Sequence, residues 1–336
     1  MRIAQLVVGD GVVVAVSDDE PAAPWIDLRS AAEIEYRRSG ATSDAARALA
    51  AALVPSSSAQ FLERGGLARD LALRAIVERP AEATVVEPEF GPAVNPPSFR
   101  DFMVFEEHFR FGYEWRGLPV PDVLYELPVS YAGEPRSVIG TKETVPWPSY
   151  TDHLDYELEL GIVIGRTGRN LHPDEALSHV AGLVLLNDLS ARDVQGHEMQ
   201  GGLGPSKGKH FASSIGPWIR TLDSIPVEGI GMTAYVDDEL WCDTRSDRMV
   251  WSVAEIVAWA SQGETLVPGA LLGTGTCNGG STIEIGRRLE SGMTIRFEAE
   301  GLGALENTLV VRESGGWLPQ PRERAEGRAA SLRFLR

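Results

Sequence analysis

The chain has 336 residues, of which 43% are hydrophobic and 24% charged, which is ordinary for a globular protein and argues against disorder. A net charge of −17 argues against binding to nucleic acid or to anionic membranes. Neither a run of about 18 apolar residues nor a basic, then apolar leader is present, so we expect a cytoplasmic protein with reduced thiols at Cys242 and Cys277.

The first part of the chain predicts strands followed by helices. Residues 2–8 and 12–16 are β-rich runs around Gly9-Asp10-Gly11, which predicts a hairpin. Residues 41–80 are rich in Ala, Leu and Arg and predict helix, with a break at Gly65-Gly66.

A group of prolines indicates where one domain passes into the next. At about 150 residues a domain, the length suits two domains. Proline disfavours both helix and central strand. We therefore predict an N-terminal β-rich domain with a helical segment over residues 1–95 and a second domain over residues 96–336, from four closely spaced prolines: Pro88, Pro92, Pro96 and Pro97.

The second domain opens with a predicted helix that has Ser98 as N-cap and continues to Phe109. Asp101 and His108 are seven residues apart, so two helical turns would bring them to nearly the same face, within about 20°. They could therefore look into one site, although a histidine on a helix is more often structural or solvated.

Three further acids are aimed inward by the pattern around them. Glu157 and Glu159 alternate with apolar residues, and strand geometry places residues i and i+2 on one face. Asp188 ends an apolar run that predicts a buried strand over residues 181–188, with a short helix over 173–180 before it. Clustered carboxylates repel, and shared protons or a divalent cation relieve that repulsion. With Asp101 they form an all-oxygen set, which suits Mg²⁺, Mn²⁺ or Ca²⁺ rather than zinc.

The residues after Asp188 offer polar groups beside it. We predict a second helix capped by Ser190, on which Arg192, Gln195 and Met199 fall at i, i+3 and i+7. That face offers a cation and an amide to a ligand. A solvated face with an Arg192 to Asp188 salt bridge is equally compatible with the pattern.

Two glycine-rich segments follow. Residues 201–211 contain two lysines but lack phosphate-loop spacing, so nucleotide binding is not expected, although Lys209 could face an anion. Residues 271–281 place small groups at a strand end, where backbone can approach a ligand closely, and Glu284 comes just after them. Cys277 could be a nucleophile, but no His or Asn context marks it, and a buried inert thiol is favoured.

The last third of the chain predicts a helix and then strands. Ser252-Val-Ala-Glu255 is a capping box for a helix that ends near Gln262-Gly263. Residues 293–300 alternate strictly and predict a strand, which Gly301-Leu-Gly303 joins to another over residues 304–311. We therefore expect a β-rich second domain with short helices.

As a set, these motifs resemble the fumarylacetoacetate hydrolase family from about residue 98 to residue 312. The resemblance implies an α+β, β-rich fold: a mixed β-sandwich roll preceded by a smaller N-terminal β domain, paired as a homodimer. It rests on Asp101-Phe102 with His108, Leu127-Pro-Val-Ser-Tyr131, Glu157-Leu-Glu159, Asn187-Asp-Leu-Ser-Ala-Arg-Asp-Val-Gln195, Gly208-Lys209 with Phe211, and Gly275-Thr276.

The resemblance also implies roles for the residues. Mg²⁺, or Mn²⁺ or Ca²⁺, would be held by Asp101, Glu157, Glu159 and Asp188. His108 and Glu284 would form a water-activating dyad, although Glu284 aligns only after the loop behind Thr276 is shortened. Contacts to a substrate or intermediate would come from Tyr131, Arg192, Gln195, Lys209 and Thr276, with Lys209 also counted as catalytic.

Two departures from the family pattern bear on the substrate. Met199 stands in the substrate site where the family has a tyrosine, which favours an alkyl or aryl tail over a distal carboxylate. The arginine expected after the base is not in register, which leaves Arg110 or Arg116 as substitutes.

The activity implied is hydrolysis of a carbon–carbon bond in a 1,3-dicarbonyl acid, such as an acylpyruvate or a fumarylacetoacetate-like compound, through a metal-bound enolate and water activated by His108. The partner would be a small carboxylic acid. The same apparatus could isomerise a 2-hydroxy-dienoate or decarboxylate an oxo-acid in aromatic catabolism. A metal-binding but inactive protein is a third possibility.

Overall fold

The computed structural model of this chain describes residues 1–20, 22–311, 314–315 and 317–320. Within these residues the α-helices are α1 (Leu28–Arg38), α2 (Ser43–Leu53), α3 (Ser58–Leu62), α4 (Gly65–Glu78), α5 (Glu106–Glu114), α6 (Val123–Glu126), α7 (Pro173–Ala176), α8 (Arg192–Glu198) and α9 (Val253–Ala260). None of the helices in this part of the chain is both long and apolar enough to cross a membrane.

The strands of the described residues are more numerous and mostly short. In chain order they are β1 (Arg2–Val8), β2 (Gly11–Ser17), β3 (Trp25–Asp27), β4 (Thr84–Val85), β5 (Glu89–Phe90), β6 (Phe99–Met103), β7 (Val129–Ala132), β8 (Val138–Ile139), β9 (Thr144–Val145), β10 (Leu154–Asp155), β11 (Leu158–Ile164), β12 (Gly168–Arg169), β13 (Val180–Asn187), β14 (Ser190–Ala191), β15 (Ser213–Thr221), β16 (Gly231–Val236), β17 (Glu239–Arg245), β18 (Thr265–Leu266), β19 (Leu271–Gly273), β20 (Thr294–Ala299) and β21 (Gly303–Leu309).

One large mixed sheet runs through both parts of the chain. Its strand order is β4-β3-β2-β1-β15-β13-β11-β19-β6-β7, with β5 and β8 paired at its side. The predicted N-terminal hairpin is confirmed as β1 and β2, and it joins the sheet because β1 pairs with β15, with Arg2 opposite Arg220. The division of the chain near residue 95 remains a prediction.

The core lies between the large sheet and a second sheet with the order β17-β16-β20-β21-β9. Leu160 and Ile162 of β11 pack in one cluster with Ala234 of β16 and Phe297 of β20. The opposite face of β11 carries Val163, which packs in another cluster with the N-terminal strands and helices. Since both faces of β11 are covered, the strand is apolar nearly throughout. The α+β, β-rich class is confirmed.

Several local predictions are confirmed. Helices α2 to α4 occupy residues 43–78, and α4 begins at Gly65, where we predicted a break. Ser252 accepts from the backbone N–H of Glu255, whose carboxylate accepts from that of Ser252, so the capping box is present and opens α9. Strands β20 and β21 follow as expected and pair with each other.

Two helix starts were predicted wrongly. Residues 99–103 form β6 rather than helix, because this segment pairs in parallel with β19 and antiparallel with β7. Helix α5 begins only at Glu106, so Ser98 is not its N-cap. Ser190 lies on β14, and the N-cap position of α8 is Ala191, which makes no side-chain cap bond.

Candidate metal and active site

Four buried acids meet where neighbouring strands of the large sheet end. Asp101 lies on β6, Glu159 on β11, Glu157 just before β11, and Asp188 just after β13. One carboxylate oxygen from each lies within 4.8 Å of the others. The sequence prediction that these four converge is confirmed, although Asp101 reaches the cluster from a strand.

Glycine makes room for two of these acids. Gly273 pairs with Asp101 across β19 and β6, and a Cβ at position 273 would clash with Oδ1 of Asp101. Just beyond, the backbone N–H of Gly275 donates to Glu159 Oε2 at 3.2 Å, and Thr276 Oγ1 donates to Oε1 at 3.3 Å. The small residues after β19 therefore let the chain approach and orient the cluster.

Burial and mutual repulsion raise the pKa of two carboxyls of the cluster, Asp101 and Glu159. Burial raises the pKa of Asp101 well above its ordinary value, and Asp188 adds to the effect. Burial likewise raises the pKa of Glu159, with Asp101 as the next cause. Oδ1 of Asp101 is buried without a hydrogen-bond partner among the described residues. An unpartnered oxygen in an all-oxygen set fits a hard divalent cation, which would offset the crowded charge.

Lys209 compensates the negative charge of the other two acids, Glu157 and Asp188. Its Nζ contacts the carboxylates of Glu157 and Asp188, and Tyr131 Oη donates to Asp188 Oδ2 at 2.6 Å. Burial alone would raise the pKa of Glu157, but Arg192 and Lys209 hold it well below its usual range. Glu157 and Asp188 are thus paired with protein cations, whereas Asp101 and Glu159 form no salt bridge with any of the described residues.

His108 lies beside the cluster and pairs with Glu284 as the resemblance implies. Its Nδ1 is 2.9 Å from Glu284 Oε2, and its Nε2 is 3.4 Å from Glu157 Oε1. Burial would lower the pKa of His108, but Glu284 and Glu157 outweigh it and raise the pKa to about 9. Glu284 is oriented by Ser281 Oγ at 2.7 Å and the backbone N–H of Gly279 at 3.2 Å, two groups that we did not predict from the sequence.

Arg192 is buried and held by protein acceptors. Its Nε donates to Asp155 Oδ2 at 2.7 Å, its Nη2 pairs with Glu157 Oε1 at 2.7 Å, and its Nη1 donates to Gln195 Oε1 at 3.1 Å. Arg192 therefore forms its salt bridges with Asp155 and Glu157, and not with Asp188 as the sequence also allowed. We did not predict a role for Asp155, although it precedes Glu157 by two residues and so continues the same alternation of acids.

A cavity of about 310 Å³ is lined by six of these charged groups: Asp101, His108, Glu157, Glu159, Arg192 and Lys209. All six predicted substrate contacts reach it: Tyr131, Arg192, Gln195, Met199, Lys209 and Thr276. Of the two substitutes for the family's arginine, Arg116 lines the cavity, whereas Arg110 is exposed and pairs with Glu114 at 3.1 Å.

Cys277 is not part of this cavity's lining. It is fully buried, its Sγ lies 3.6 Å from Met232 Sδ, and burial raises the pKa of its thiol. A high pKa disfavours the thiolate that a nucleophile needs. The prediction of a buried thiol is confirmed.

Comparison with known proteins points to one family. Residues 99–310 match the family described as fumarylacetoacetate (FAA) hydrolase, C-terminal. A protein of Burkholderia lata that is named a hydrolase is 31% identical over 77% of this chain and 90% of its own length. Fumarylacetoacetate hydrolase of Exiguobacterium antarcticum has a similar structure, with a TM-score of 0.65 and 22% identity over 93% of this chain and 100% of that one. The 2-hydroxyhepta-2,4-diene-1,7-dioate isomerase of Mycobacterium marinum has a TM-score of 0.62 and 20% identity over 92% and 98%.

Proposed function

The chain belongs to the fumarylacetoacetate hydrolase family, and we propose that it is a divalent-metal-dependent hydrolase that cleaves a carbon–carbon bond in a 1,3-dicarbonyl acid such as an acylpyruvate. The observation that carries the proposal is the pair of His108 and Glu284, 2.9 Å apart, beside a cluster of four buried carboxylates. A base paired with an acid is what activation of water requires.

Asp101, Glu157, Glu159 and Asp188 would hold the cation, with Mg²⁺ as the first candidate and Mn²⁺ or Ca²⁺ as alternatives. When bound, the cation supplies positive charge to the oxygens of the dicarbonyl acid. Lys209 remains next to the cluster through its contacts with Glu157 and Asp188. Its third N–H donates to the carbonyl of Asp188 at 3.3 Å, and in the proposed reaction this N–H turns to the substrate in the cavity that Lys209 lines.

In the proposed reaction, the neutral form of His108, which becomes more abundant as the pH rises towards its pKa of about 9, takes a proton from water at Nε2 while Glu284 holds Nδ1. The water oxygen attacks the distal carbonyl carbon, and Gln195 and Lys209 donate to the oxyanion. One such donor is worth roughly 3–4 kcal/mol at the transition state. The bond to the central carbon then breaks, its electron pair stays on that carbon, and His108 returns the proton there. The products are a carboxylic acid and a 2-oxo acid.

The test is turnover of simple acylpyruvates with Mg²⁺ or Mn²⁺ in ¹⁸O-labelled water. Hydrolysis should place the label in the released carboxylic acid, and His108→Ala should slow the release by about 100-fold or more. Absence of turnover with every acylpyruvate would refute the proposal. If no other acid reacts either, the hypothesis that remains is a metal-binding protein without activity.

The isomerase or decarboxylase remains the alternative, since a solved structure with this fold is named an isomerase. Conversion of a 2-hydroxy-dienoate to its keto form without incorporation of ¹⁸O, or release of CO₂ from oxaloacetate, would identify it. We also propose that the protein is cytoplasmic and forms a homodimer. Light scattering of the purified protein would test the dimer.

A further inference from the structure

Two helices contribute to the lining of the cavity, and each contributes a glycine to it. On α5 and in the turn after it, the cavity is lined by Phe109, Gly112, Tyr113 and Arg116, at i, i+3, i+4 and i+7, with Arg116 just beyond the end of the helix. The same spacing recurs in Arg192, Gln195, Gly196 and Met199, of which Met199 directly follows α8. Both glycines lie inside their helices, and both line the cavity.

Glycine in a helix interior costs about 0.8–1.0 kcal/mol relative to alanine, so its presence calls for a reason. Positive φ is not the reason, because neither Gly112 nor Gly196 has a positive φ angle. Close packing is not the reason either, since a Cβ at either position would meet no atom within 4 Å. By contrast, a Cβ at Gly161 would come within 2.8 Å of Val184. What the two helix glycines share is the cavity.

The cavity wall near Gly112 is aromatic. The rings of Phe109 and Tyr113 lie 4.9 Å apart, and Trp115, at 57% exposed, stands at the mouth. Arg116 lies over the ring of Tyr113 at 4.8 Å, and its Nε donates to the carbonyl of Gly112 at 2.7 Å. On the α8 side the wall near Gly196 ends in the thioether of Met199, so a group between the helices meets mostly apolar surface.

His108 and Arg192 come one helical turn before Gly112 and Gly196, and both contact Glu157 of the carboxylate cluster. Charged groups of the lining there suit the acid half of a substrate: His108, Lys209, Asp101, Glu157 and Glu159. A cavity of about 310 Å³ is at the low end of the range for small-molecule sites. A side chain added to either helix would therefore remove a large part of the room.

We infer that Gly112 and Gly196 determine the specificity of the site by leaving room for a bulky apolar group, such as a phenyl ring, on the acyl end of the substrate. The inference rests on the proposed function, which supplies the acid end and its orientation. The substrate class is then an acylpyruvate-type acid with an aryl or branched alkyl tail, held between α5 and α8.

The test compares two acylpyruvates that differ only in the tail, one with phenyl and one with methyl. Gly112→Leu and Gly196→Leu should each lower kcat/KM for the phenyl compound at least tenfold and change that for the methyl compound less than threefold. Gly66→Leu is the matched control, because Gly66 lies on α4, is exposed, and likewise has no atom within 4 Å of a Cβ. It should affect neither substrate. Leucine favours helix over glycine, so the melting temperature should not fall.

The outcomes separate this inference from the proposed function. If the wild type cleaves both acids and the two leucine variants slow both equally, the specificity role is wrong and the hydrolase stands. A tenfold preference of the wild type for a carboxyvinyl tail over phenyl would also overturn it. If the wild type cleaves neither acid, the proposed function fails. The inference is then tested by calorimetry, which measures the binding of the two acids in the presence of Mg²⁺. Weaker binding of the phenyl acid alone in Gly112→Leu would support the inference, and equal weakening of both acids would overturn it.

Discussion

Replacing Arg192 by methionine should destabilise the protein by about 3–5 kcal/mol, because it removes one partner of a buried ion pair. Glu157 would keep Lys209 as a partner. Asp155, which is 0% exposed, would keep the backbone N–H of Thr282 at 2.7 Å and lose the charge opposite its Oδ2. Most of the loss should therefore come from Asp155, for which a charged hydrogen bond is worth about 1.5–3 kcal/mol.

Urea unfolding in the presence of a chelator measures this loss without a contribution from bound cation. In a double-mutant cycle, Asp155→Asn should recover part of the stability in the Arg192→Met background. Arg110→Met removes an exposed arginine from α5 and should leave stability nearly unchanged. If Arg192→Met costs no more than this control and instead raises KM for carboxylate substrates, Arg192 binds substrate and does not organise the site.

Three further predictions concern the chemistry. Exhaustive chelation should abolish turnover, Mg²⁺ or Mn²⁺ should restore it, and Glu159→Gln should weaken cation binding with the fold intact; full activity of the chelated protein would contradict the metal role. His108→Ala should lower kcat by about 100-fold or more while cation affinity, measured by calorimetry, stays the same. A loss of only a few-fold would place the base elsewhere. Cys277→Ala should retain activity within a few-fold, and iodoacetamide at pH 8 should not inactivate the native protein, since the thiol is buried with a raised pKa. Rapid inactivation that Cys277→Ala prevents would contradict this.

The strand that carries Asp101 could not be predicted from its own residues. Phe99, Phe102, Phe105 and Phe109 are all buried, and their spacing fits a helix as well as a core strand followed by a turn. What decides is pairing with residues 129–132 and 271–273, which are distant in the sequence. Tertiary pairing of this kind overrides local preference. Asp101 and His108 do line one cavity, as we expected, but Asp101 reaches it from strand β6 and His108 from helix α5.

The acids on the sheet were easier to predict. Alternation in the sequence places Glu157 and Glu159 on one face, and in the structure both join the cluster. Extending the same alternation by two residues reaches Asp155, which we did not assign because nothing in its neighbourhood marks a partner. Its partner, Arg192, is 37 residues away. Sequence alternation thus indicates which side chains share a face, whereas the ion pairs between them depend on the fold.

The approach of Asp101 to Gly273 has a consequence for how this protein can drift in evolution. Any side chain at position 273 would push Oδ1 of Asp101 aside, and the pairing of β19 with β6 limits how far the two strands can separate. Gly273→Ala should therefore weaken cation binding about as much as Asp101→Asn does, which calorimetry with Mg²⁺ can compare. A lineage could then lose the proposed activity through a mutation at a position with no proposed catalytic group, while all four proposed ligands and the proposed base are still encoded.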